Sequence, residues 1–258
     1  MTQDNLGGAP EPLGTARFNL GRVLAESFSI LLRNFVPFMI IAVVIAIPSL
    51  LIEYWQRTAP AGPAASVPAS LIAGLIGLLT AALTQSALTY GTLQDMRGQR
   101  AGLGECISRG LASTPKVAMA AVLWSILVGV GMLLLIVPGI IMMVAFWVYV
   151  PAIVVENAGV SECFGRSRTL TRGHRLSIFG LFALVAIVVF GLEFWVISQV
   201  DIVELAATMN AGWMPWVISA VSILITAYAA VMTSVGYYYL RAEKEGALID
   251  DDIAKVFD

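Results

Sequence analysis

Residues 117–155 read VAMAAVLWSILVGVGMLLLIVPGIIMMVAFWVYVPAIVV, nearly forty residues without a single charge. A helix crosses the hydrocarbon layer of a bilayer with ~20 apolar residues, so this run is too long for one crossing and fits two. Pro138-Gly139, a dipeptide that favours turns, stands at its midpoint. The stretch therefore reads as a tight hairpin of two spans, Val117 to Val137 and Gly139 to Val155.

Four further apolar runs flank it: Phe35 to Ile52, Pro68 to Leu88, Leu176 to Gln199 and Trp213 to Leu240. The chain as a whole is 59% apolar and 12% charged, against about a quarter charged for a soluble domain. That balance excludes a water-soluble monomer. Six spans consume roughly 120 residues, which leaves no room for a large soluble domain in a chain of 258. The expected fold is an all-α membrane protein: one six-helix transmembrane domain over residues 18–242, a mobile tail over 1–17 and an acidic cytoplasmic tail over 243–258. The opening MTQDNLGGAPEPLGTAR has Pro and Gly but no apolar core, so it does not read as a cleavable signal peptide.

Topology follows from the basic residues, which are retained on the cytoplasmic side of span ends. Fourteen of the fifteen Lys and Arg fall before the first span, after the last, or in the second and fourth connections; Arg57 is the exception. Both termini are thus expected in the cytoplasm, and an even number of spans is required. Tyr54-Trp55, Trp195, Trp213 and Trp216 would anchor outer ends and Tyr237 to Tyr239 an inner end. The net charge of -2 conceals this segregation and argues for no nucleic-acid partner. Cys106 and Cys163 lie far apart on the reducing side, with no metal-ligand spacing.

The cytoplasmic connections carry their own pattern. Leu20, Leu24, Phe28 and Leu31 share one helical face, with Arg22, Glu26, Ser29 and Arg33 opposite. This predicts an amphipathic helix in the headgroup plane that turns into the first span. FNLGRVLAESF from Phe18, AGLGECISRGL from Ala101 and AGVSECFGRSR from Ala158 align, each ahead of a span. Leu20, Leu103 and Val160 coincide, as do Leu24, Ile107 and Phe164. The expectation is a threefold repeat of surface helix, span in and span out.

Residues 137–180, VPGIIMMVAFWVYVPAIVVENAGVSECFGRSRTLTRGHRLSIFG, together with the opening LGRVL and LLRNF segments and the closing YYYLRAEKEG, resemble a known family. The likeness, over about residues 18 to 246, is to the bacterial integral-membrane family that includes the membrane domain of glycerophosphoryl diester phosphodiesterases and the YciC-like proteins. The resemblance implies a six-helix protein of the bacterial inner membrane. It implies no catalysis, because the fused members' chemistry belongs to a separate barrel of ~250 residues.

No phosphate-binding loop, nucleophile elbow or dinucleotide fingerprint occurs, and the one histidine, His174, lacks a partner at a readable spacing. No catalytic residue, metal or cofactor is expected. Two candidate sites remain. Arg168, Arg172 and Arg175, at spacings of four and three, can share one helix flank where anionic headgroups lie. Glu193, Gln85 and Ser222 are polar residues inside spans, with Glu193 the clearest ionisable one. Ala73, Gly77 and Ala81, and Ser222, Thr226, Ala230 and Ser234, form small-residue stripes suited to close helix packing. The expected function is non-catalytic: membrane lipids as ligands, and inner-face helices that organise lipid or dock a protein partner or a second copy. The alternative is a small-solute or lipid transporter lined by Gln85, Glu193 or Ser222.

Overall fold

The structure, a computed structural model, describes residues 18–58, 67–198 and 214–245. Among the described residues the chain forms helices and no strand. In order these are α1 (Leu20–Arg33), α2 (Phe35–Thr58), α3 (Val67–Met96), α4 (Leu103–Leu134), α5 (Ile136–Ala145), α6 (Tyr149–Glu156), α7 (Val160–Thr171), α8 (Arg175–Ser198) and α9 (Met214–Glu245). Five stretches are long and apolar enough to cross a membrane: α2, α3, α4, the α5–α6 pair and α9. A sixth arises when α7 and the start of α8, bent by 97° to each other, are taken as one broken span.

The hairpin forms three residues earlier than the Pro-Gly midpoint. Leu135 alone separates α4 from α5, and Pro138 falls in the first turn of α5, where its missing N–H is no loss. Gly131 and Gly139 make the turn that tight. A Cβ on Gly131 would lie 2.9 Å from the Gly139 Cα, and one on Gly139 only 2.5 Å from the Met132 side chain.

The second surface helix is not separate. Residues 103–134 form one helix that carries Pro115 within it, so the segment around Arg109 runs straight into the apolar run. Pro48 lies inside α2, which runs past the expected span end at Ile52 to Thr58. There Arg57 pairs with Glu53 at 2.7 Å, and Ser219 donates to Glu53 at 2.9 Å. Tyr54 and Trp216 meet at the same end, tilted by 32° with 6.1 Å between ring centroids.

The core lies toward the other, charged end of the bundle. The C-terminal halves of α3 and α9 are its pillars: Leu88, Tyr90, Leu93, Val235, Tyr237 and Leu240 are all buried there. Trp147, from the break between α5 and α6, lies over Gly236, whose absent Cβ would sit 2.4 Å from the ring. Gly110 admits the backbone of Ala87 on α3 in the same way, at 2.9 Å. Tyr237 is therefore a core residue and not an interfacial anchor. The stripe of Ala73, Gly77 and Ala81 makes no such contact, since Ala81 is exposed and nothing stands within 4 Å of a Cβ on Gly77. In the α9 stripe Ala230 and Ser234 are buried, whereas Ser222 is exposed.

α1 lies across this end. Asn19 caps it, its Oδ1 accepting from the Gly21 N–H at 2.9 Å. The Phe18 N–H donates to Glu243 of α9 at 2.7 Å, and Arg33 pairs with Asp95 at the end of α3. The face that packs inward carries Val23, Ser27, Ile30 and Leu31. Phe28, expected on that face, is 56% exposed, as is Leu32. The helix is rotated because Ser27 satisfies its hydroxyl locally, donating to the Val23 carbonyl at 2.6 Å, and can then be buried without cost to the core.

Candidate functional site

α7 is the polar element wedged among apolar ones. Its first turn is fixed by Glu162, whose Oε2 accepts from the Gly159 N–H at 3.2 Å. The inward face presents small hydroxyls where a span breaks. Ser167 donates to the Ala145 carbonyl at 3.0 Å and accepts from the Val148 N–H at 3.2 Å. Thr171 donates to the same carbonyl at 3.1 Å. The non-helical backbone between α5 and α6 is thus satisfied by α7, as irregular backbone within an apolar bundle must be.

The same helix carries two kinds of arginine. Arg166 faces inward: its Nε donates to both carboxylate oxygens of Glu156, at 2.8 and 2.7 Å, and its Nη2 pairs with Glu245. Arg241 completes the ring, with Nε 2.7 Å from Glu245 and Nη1 3.9 Å from Glu156. Tyr237 donates to Glu156 at 2.7 Å. Two carboxylates and two guanidiniums so close one neutral ring over α6, α7 and α9. Burial alone would lower the pKa of Arg166, but its hydrogen bonds to Glu245 and Glu156 raise it above its ordinary value.

Arg168, Arg172 and Arg175 are the other kind. α7 ends at Thr171, Gly173 takes a left-handed φ of 96°, and α8 starts at Arg175, bent 97° from α7. Glycine adopts that φ without a steric penalty. The elbow gathers the three arginines and Thr169 around one cavity of about 440 Å³. None of the three guanidiniums pairs with another described residue. The Nε of Arg175 is buried with no hydrogen-bond partner.

The acceptors around the cavity are already used. The Thr169 carbonyl accepts from the Arg172 N–H at 3.3 Å and that of Thr171 from the His174 N–H at 3.1 Å. The Arg172 carbonyl accepts from Lys244 Nζ at 2.8 Å. Glu243, the carboxylate beside the elbow, faces His174 Nε2 at 3.1 Å as well as the Phe18 N–H. Among the described residues, the guanidiniums of Arg168, Arg172 and Arg175 are left without a partner at the elbow.

The three arginines do line one cavity, but not by sharing the single helix flank that their spacing suggested, because α7 ends at Thr171 and the chain turns before Arg175. Sequence spacing did not bring out the neutral ring of Glu156, Arg166, Tyr237, Arg241 and Glu245. Arg166 reads in sequence as one more topological arginine, and its partners stand 10 and 79 residues away. Glu243 and Glu245, read as part of an acidic tail, lie on α9 and are bonded into this end. Of the polar trio within the spans, two side chains can be placed. Gln85 is half-buried in α3 and Ser222 exposed on α9, while the side chain of Glu193 lies outside the described ones, as do the anchors Trp195 and Trp213. Residues 1–17 and 246–258 also lie outside the described residues. Among the described residues no group of three His, Cys, Asp or Glu is placed to hold a metal ion.

A family model described as "Domain of unknown function (DUF7847)" matches residues 18–243. No curated protein and no solved structure matches the chain.

Proposed function

Because the chain belongs to the family described as "Domain of unknown function (DUF7847)", whose description carries no activity, we propose its function from the site itself. The protein is a non-catalytic, multi-pass component of the bacterial inner membrane that gathers anionic lipid headgroups at its cytoplasmic face. The observation that carries this reading is the elbow cavity, where three arginines converge without a counter-ion among the described residues. Each cation near a membrane surface contributes ~1 kcal/mol toward anionic lipid, so three on one concavity make a site and not only a topological signal.

The distribution of basic residues supports the placement of this end, and both termini, in the cytoplasm. A threefold repeat is supported by the phase of the helices: α1, α4 and α7 begin at the aligned residues Leu20, Leu103 and Val160. Aligned positions are buried in all three, as Val23, Cys106 and Cys163, then Ser27, Gly110 and Ser167, then Leu31, Thr114 and Thr171. Three such helices form a platform on which lipid is ordered or a partner docks. The alternative, transport, rests among the described side chains on Gln85, since Ser222 is exposed.

The test is the lipid retained by the protein extracted in polymer discs, read by native mass spectrometry. Changing Arg168, Arg172 and Arg175 together to Gln should lower retained anionic phospholipid several-fold and leave topology unchanged. Unchanged lipid content in that variant overturns the reading.

A further inference from the structure

Given the anionic-headgroup reading, on which this rests, we infer that the elbow cavity selects a lipid phosphate carrying two negative charges, a phosphomonoester or diphosphate, over the singly charged phosphodiester of common anionic lipids. The inference stands on charge, hydrogen-bond polarity and shape together.

Three guanidiniums without a partner among the described residues face the cavity, and the described side chains that line it include no carboxylate. A phosphodiester supplies one negative charge and leaves two of these cations uncompensated. A phosphomonoester has a second ionisation near pH ~6, and adjacent cations favour its loss of that proton. Held against Arg168, Arg172 and Arg175, it presents close to two charges and three terminal oxygens. Arginine forks pair bidentately with such oxygens, whereas a diester has given two of its oxygens to ester bonds.

The hydrogen-bond inventory points the same way. The Thr169, Thr171 and Arg172 carbonyls are occupied, and the Thr169 hydroxyl donates to the Gly165 carbonyl at 3.0 Å. A headgroup rich in donors, such as a sugar or an ammonium, would find few acceptors here. One rich in acceptors finds the guanidiniums, including the buried and unpartnered Arg175 Nε. At about 440 Å³ the cavity falls within the ~300–1,000 Å³ range of small-ligand pockets, larger than an isolated cation pair on a surface would enclose.

A soluble phosphate would share this chemistry, but the elbow continues into an apolar flank. From Arg175 onward α8 exposes Leu176 at 83%, Phe179 at 41%, Leu184 at 49% and Ile187 at 70%. These recur at helical spacing on one face, so acyl chains have a track that starts at the phosphate.

The test uses the full chain in nanodiscs of phosphatidylcholine doped equally with phosphatidic acid and phosphatidylglycerol, with bound lipid counted by native mass spectrometry. Wild type should retain phosphatidic acid at least fivefold over phosphatidylglycerol. The Gln triple variant should lose that preference, and R100Q, at an exposed arginine on the α3–α4 connection, should keep it. The guanidiniums of the three arginines bond to no described residue, so the variant is expected to fold, and an unchanged melting midpoint verifies this. Equal retention of the two anionic lipids, abolished by the triple variant, overturns the selectivity and leaves the anionic-lipid reading standing. Retention of neither over phosphatidylcholine overturns both. Displacement of bound lipid by millimolar inorganic phosphate or pyrophosphate overturns the lipid assignment in favour of a soluble phosphate.

Discussion

Glu156 and Arg168 show two fates for charge at one membrane face. Glu156 accepts from Arg166 and Tyr237 and lies near Arg241, whereas Arg168 is exposed and its side chain is unpaired among the described residues. The first kind is structural: removing one member leaves its partners partly buried without compensation, at a cost of ~1–3 kcal/mol. Glu156→Gln, nearly isosteric, should therefore lower the thermal midpoint in detergent by several degrees. Glu26→Gln, outside the ring, should leave it nearly unchanged. If both variants melt together with wild type, the ring does not contribute to stability. Substitutions at Arg168 belong to the second kind and should leave the melting midpoint alone while changing bound lipid.

At the scale of elements, packing turns on a few glycines. Gly236 lies under Trp147 and Gly110 against Ala87, so each lets a helix approach where any side chain would intrude. Overpacking of this kind costs ~1–3 kcal/mol. Gly236→Ala should destabilise the protein by that amount, measured as a lowered denaturation midpoint, and Gly77→Ala, with open space around it, should not. Equal behaviour of the two would remove the close approach from the account. The helices themselves were legible because apolar runs of sufficient length have few alternatives in a membrane. Their ends were not. α3 continues past Leu88 to Met96 because protein covers it, burying Thr89, Thr92 and Gln94, and hydropathy counts such residues as connection. The rotation of α1 was equally hidden, since Ser27 reads as polar until its bond to the Val23 carbonyl is seen. The arginine trio was visible because its members are local in sequence; the ring was invisible because its members are not.

For the whole molecule, the arrangement of charged and aromatic ends gives a sidedness that can be measured. Native thiols do not interfere: Cys106 and Cys163 are buried, and burial pushes the Cys163 thiol up to about 11, so it stays protonated at neutral pH. A cysteine at the exposed Thr58 should then react with an impermeant maleimide in intact spheroplasts, and one at the exposed Gln99 only after the membrane is opened. The reverse pattern would invert the assigned topology. The contacts of α1 carry a further consequence, for biogenesis. Helix α1 is made well before α9 yet packs against it, and the Phe18 N–H just ahead of it binds Glu243, while the ring that ties α6 to α7 waits for Arg241 and Glu245. Until α9 is made, α1 has no completed seat. Its exposed Phe28 and Leu32 suit it to rest on the bilayer surface meanwhile, and its packing can be completed only when α9 arrives.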